Sequence, residues 1–313
     1  MMKVSLELRQ NYLSFFRMVL LASSCMSAIA AEGQAPVFQR TLELDIKSPL
    51  ILTVELSRGD ITIAYRNEGQ FSISGFGKEI TGKSLPEEFF KTALLIDQEG
   101  NRITIRESPE AAFGNPLNST AYRLDVPFRT QVSSSISGTG NQKLIGISGP
   151  AKITSGAGDI EAQLVSLGSV DAHTGKGNIS CSRVSKVTAE TGDGNITLLE
   201  TGPSKAVVSS GRGRIEVAGA RGSVDGSVSA GSLHINAVPH GAWKFNSVSG
   251  SIRIELPPKA AFNLDAATIS GEIDVEHKAM QQSDHEVRHL QQQVNGGGKQ
   301  IEVRSISGLV VIE

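Results

Sequence analysis

Cysteine, aromatic side chains and net charge are all scarce in this sequence, and no long apolar run interrupts it after residue 30. Two cysteines in 313 residues build neither a disulfide framework nor a thiolate zinc site. Lys and Arg (30) nearly balance Asp and Glu (32), so there is no basic field to attract nucleic acid. Aromatics amount to 5% with one Trp, which leaves few platforms for stacking sugars or bases. The one sustained apolar stretch, Met18 to Ala30, is shorter than the roughly 20 residues a membrane-spanning helix needs.

That stretch reads as the core of an export signal over residues 1–30. Lys3, Arg9 and Arg17 form the basic leader, and Ala28-Ile29-Ala30 is a small-x-small cleavage site. Leu21-Ala22-Ser23-Ser24-Cys25 also looks like a lipidation box, although Ala22 stands where an aliphatic residue is usual. Ordinary cleavage after Ala30 is the favoured expectation. It leaves an exported mature chain, periplasmic or on the cell surface, with no transmembrane segment and with Cys181 as its single thiol.

What the sequence has in abundance is glycine. Eight of the 33 glycines lie before residue 138 and 25 from there on. Many recur in register, in SGAGDI (Gly158, Asp159, Ile160), TGKGNI (Gly177, Asn178, Ile179), TGDGNI (Gly194, Asn195, Ile196) and SGRGRI (Gly213, Arg214, Ile215). The series continues through Gly231, Ser232 and Leu233, then Gly250, Ser251 and Ile252, then Gly271, Glu272 and Ile273, and closes on Gly308, Leu309 and Val310. The steps between these glycines are 19, 17, 19, 18, 19, 21 and 37 residues. An alternating strand precedes each glycine and a shorter one follows, with no room for a helix. The period is too short for a propeller blade of about 40 residues. It predicts an all-β, parallel β-solenoid over 136–313. The isoleucines would stack inward as a ladder, and Gly, Ser and Thr would form the bend. A sandwich would need turns without this fixed register.

Residues 31–135 read as a β-rich N-terminal region that caps the stack. Gly59-Asp60-Ile61 repeats the later motif. A hairpin is expected across Glu99-Gly100-Asn101, and a short helix from Ser84 to Lys91 with Glu87 in a capping-box position.

The signal segment, the early RGDITI, the YRLDVP lead-in at Tyr122–Pro127, the serial SGxGDI turns and the closing GGGKQIEVRSISG together resemble the bacterial DUF4097 family of adhesin-like, β-strand-repeat proteins. The resemblance covers most of the mature chain; Leu309 departs from it, standing where Asp or Asn is usual. It implies an exported β-solenoid and transfers no catalytic residue.

Candidate chemistry is thin. Asp159, Asn178 and Asn195 align, with Asp193 nearby, as calcium-binding repeats do. The column then becomes Arg214, Ser232 and Ser251, short of the six to eight oxygens calcium takes. Turn capping is the better expectation. The row Glu161, Ser180, Thr197, Glu216, His234, Arg253 and Asp274 places no two carboxylates in neighbouring repeats, as a glycosidase would need. Trp243, Phe245 and Phe262 read as filling of a wider coil. His277, His285 and His289, with Asp284 and Glu286, lie in a polar insertion near 277–298 expected to be a solvated loop or short helix. The glycosylation-like triplets at Asn118, Asn178 and Asn195 follow in part from the repeat itself.

The sequence therefore predicts an exported, non-enzymatic envelope protein without cofactor or metal, an adhesin-like scaffold or macromolecule-binding surface. Its expected partner is an envelope protein or glycan, with edge-to-edge self-association as a further mode. The alternatives are a carbohydrate-active β-helix enzyme and a regulatory partner in envelope stress.

Overall fold

Alternation decides the local structure. Each strand before a corner carries small or apolar residues at every second position, as in Lys186–Asp193, where Val187, Ala189 and Thr191 are buried and Thr188 and Glu190 face outward. The computed structural model describes residues 35–66, 68–78, 84–109, 119–280 and 288–313. The expected export signal, Cys25, Asn118, Asp284, His285 and Glu286 lie outside the described residues. Val37–Glu313 forms one unit, an all-β, solenoid-like array whose long, largely parallel sheet does not close on itself.

Two rows of strands run through it. In the first row Leu50–Leu56, Thr130–Thr139, Ala151–Ala157, Ser169–Lys176 and Lys186–Asp193 pair in parallel, and the row continues into Ala206–Ala218 and Val224–Asn236. The second row holds the strands after the corner. There Ile160 pairs with Ile179, Ile179 with Ile196, Ile196 with Ile215, Ile215 with Leu233 and Leu233 with Ile252. All six of these side chains are at most 1% exposed. Gln142 occupies the same inward column between Ile61 and Ile160. Its amide donates to the Thr154 carbonyl at 2.6 Å, just before the pairing of Ala151–Ala157 with Thr130–Thr139 slips by one residue between Ser155 and Ala157.

The order of the last layers differs from the sequence order. Ile252 pairs with Val310 and Val310 with Ile273, so the C-terminal strands Lys299–Ser305 and Leu309–Ile312 lie between the layer of Gly250 and the layer of Gly271. The expected direct stacking of Ile252 on Ile273 is thus corrected: the chain leaves a gap one layer wide and fills it last. The first layer behaves alike. Leu50–Leu56 lies between Thr130–Thr139 and Arg102–Glu107, and Asp60–Tyr65 between Gln142–Ile145 and Ser119–Val126.

Antiparallel strands cover three of the four row ends. Leu94–Glu99 pairs with Arg102–Glu107 as a hairpin across Glu99-Gly100-Asn101. Gln70–Lys78 covers Ser119–Val126 and is itself covered by Phe38–Glu43. His289–Val294 covers Phe262–Thr268. This last strand corrects the expected loop or short helix for its part of the 277–298 insertion; its backbone pairs with Phe262–Thr268 while Gln291, Gln292 and Gln293 stay exposed or half-buried. The short helix is Glu87–Ala93, entered through Pro86 with no side-chain cap, so Ser84 and Glu87 do not form the expected capping box. It lays Phe90 over the N-terminal layers, edge-on to Tyr122. At the other end Trp243, Phe245 and Phe262 are buried, and Gly226 gives Phe245 its room.

Candidate functional site

The predicted corner residues meet in one column. A β-carbon on Gly177 would overlap the carbonyl oxygen of Gly158, and Gly177 itself sits at φ 143°, where side chains are strained. The same close approach links Gly59 to Gly140, Gly140 to Gly158, Gly177 to Gly194, Gly194 to Gly213, Gly213 to Gly231 and Gly231 to Gly250. It then passes from Gly250 to Gly308 and from Gly308 to Gly271, which reproduces the corrected layer order. Behind the column, buried hydroxyls donate to these carbonyls: Ser155 to Gly140, Thr174 to Gly158, Thr191 to Gly177 and Ser210 to Gly194, at 2.9–3.1 Å.

In front of it runs a ladder of side-chain oxygens. Asp60 Oδ1 accepts the amide of Asn141, Asn141 that of Asp159, Asp159 that of Asn178, Asn178 that of Asn195, and Asn195 that of Arg214, at 2.7–3.0 Å. One oxygen of each group is therefore bound to the next layer's backbone, and the ladder ends at Arg214, which has no acceptor to offer. A second, unexpected column lies at the other corner. Leu164, Arg183 and Glu200 have φ of 57°, 53° and 51°, beside Gly146 and Gly219 in the same conformation. Their amides bond the following layer, as Leu164 does to Ser182 and Arg183 to Leu199. Sequence reasoning passed over this corner because three of its five residues are not glycine.

The outer faces are polar. On the first row a shallow groove is lined by Thr154, His173, Gly175, Glu190, Gly192 and Ser209. His173 Nε2 lies 2.6 Å from Asp171 and Nδ1 3.2 Å from Glu190, so both ring nitrogens are occupied by carboxylates and neither is free to act as a base toward a neighbouring hydroxyl. On the second row Glu161 is held by Lys143, Glu216 by Arg214 and Glu255 by His234, at 3.1, 3.8 and 2.8 Å. Val311 separates Arg253 from Asp274 in this row.

The histidines of the insertion are not brought together as ligands of one ion. His277 is buried, its ring edge-on to Phe262 and its Nδ1 accepting the Ala279 amide, while His289 faces Asp265. Arg304 binds the same carboxylate with two nitrogens and, with His289, holds Asp265 below the usual carboxylate range. Cys181 is wholly buried, and desolvation pushes its thiol up to about 12.

A family model described as Toastrack DUF4097 matches residues 51–313. Among proteins of curated function, none matches. Three solved structures are similar to 88% of this chain. One is a proposed cell adhesion protein of Clostridium sporogenes, 11% identical, covered over 97% of its length at a TM-score of 0.29. Another is a proposed adhesin of Bacteroides fragilis, 10% identical, covered over 94% at 0.42. The third is a proposed lipid-binding protein of Parabacteroides distasonis, 14% identical, covered over 97% at 0.35.

Proposed function

Since this chain belongs to the Toastrack DUF4097 family, we propose that it is an exported β-solenoid of about 19 residues per coil that works by recognition, as an adhesin-like scaffold of the cell envelope. The observation that carries this reading is how the polar groups are used. The aligned Asp and Asn oxygens hold backbone amides, and Asp171, Glu190, Glu161, Glu216 and Glu255 hold cationic or imidazole side chains. Such groups make a fixed, regularly spaced surface rather than an acid–base pair across a substrate gap. The basic leader and Ala28-Ile29-Ala30 support export.

The mature chain from residue 31, immobilised and exposed to envelope extract, is expected to retain a specific envelope protein or glycan. Hydrolysis or elimination of a polysaccharide by the purified chain, lost on Glu190→Gln, would overturn this reading in favour of a carbohydrate-active enzyme.

A further inference from the structure

Among the described residues the fourth row end is open. Glu272–Val275 pairs with Leu309–Ile312, and no strand lies on its other side among the described residues. The Glu276 amide donates to the Ile312 carbonyl, so backbone alternation turns the amides of Ile273 and Val275 to the open side. Their side chains point inward and are 5% and 4% exposed. Glu272, Asp274 and Glu276 alternate with them on the outer face. Among the described residues none of these three carboxylates is in an ion pair, Arg253 feeling the charge of Glu276 only at longer range, and the adjacent strand sets Leu309 and Val311 opposite the first two. Just before the strand, Ile269 is 68% exposed and stands in one corner stack with Ile306 and Val248, where earlier layers have Gly175, Gly192 and Gly211.

We propose that this edge takes up an extended segment of a partner protein with basic residues at alternate positions and an aliphatic residue beside Ile269. Backbone pairing would supply the affinity, and the acidic outer row the choice of partner. The same row works against a second copy of this chain, because antiparallel self-pairing about Asp274 sets carboxylate against carboxylate. The proposal deepens the recognition reading above and rests on it.

The test uses the full chain and a labelled ten-residue peptide alternating Lys and Val, with a Glu/Val peptide as control. The Lys/Val peptide is expected to bind, to slow hydrogen exchange of Ile273 and Val275, and to bind about tenfold more weakly to Glu272→Gln/Asp274→Asn/Glu276→Gln. Equal binding of both peptides, unchanged exchange over 272–275, or concentration-dependent self-association through this edge would overturn it. Retention of the envelope partner by the triple variant would overturn the edge proposal while leaving the recognition reading intact.

Discussion

Gly177 has no space for a methyl group, because the carbonyl of Gly158 already occupies the position. Relief would require two layers to separate, and each is fixed by its own ladder. Gly177→Ala is therefore expected to cost at least about 3 kcal/mol in denaturant unfolding, far above the ordinary helix or strand effect of this substitution. Cys181 and Tyr122 make a second residue-scale prediction. Burial pushes both groups up to about 12 in the fold, whereas in the unfolded chain they ionise near 8.5 and about 10. The unfolded state thus loses protons first. Stability from these groups is complete below about pH 8.5 and falls as pH rises toward 12. Unfolding midpoints measured from pH 7 to 10.5 should fall, and Cys181→Ala should flatten the part of that fall nearest pH 9. The native thiol should resist a thiol reagent that labels the unfolded chain at once.

At the scale of the strand and corner, the ladder of Asp and Asn oxygens ties layer to layer. Asn195→Ala leaves the Arg214 amide without its acceptor and should lower stability by about 1 kcal/mol, whereas Asn195→Asp, which keeps the oxygen, should not. Thermal unfolding of the two variants separates the ladder's role from that of the exposed side chain. Much of this scale was legible in the sequence. Only glycine fits the column, so its spacing showed through, and the inward isoleucines followed from alternation. The opposite corner was hidden because Leu164, Arg183 and Glu200 adopt a left-handed conformation that their residue types do not announce. The strand His289–Val294 was hidden for another reason: HLQQQV has one buried residue, and its pairing comes from the edge it covers.

At the scale of the molecule, what sequence could not convey was order. Ser247-Val248-Ser249-Gly250, Ser305-Ile306-Ser307-Gly308 and Thr268-Ile269-Ser270-Gly271 are near copies, and Ile252, Val310 and Ile273 are interchangeable in an apolar column. Local pattern therefore identifies three layers without ranking them. The ranking makes a prediction. Deleting residues 299–313 removes an interior layer and leaves two faces that do not match. Calorimetry should then find the layers of Gly250 and Gly271 both lost, rather than a stack shortened by one end unit. The same arrangement gives the molecule a mechanical polarity. Tension on the C-terminus enters through Leu309–Ile312, which is bonded on both sides and must shear two ladders together. Tension on Phe38–Glu43, bonded on one side only among the described residues, peels its hydrogen bonds in turn. A chain held by its last residues should therefore bear more load than one held by its first.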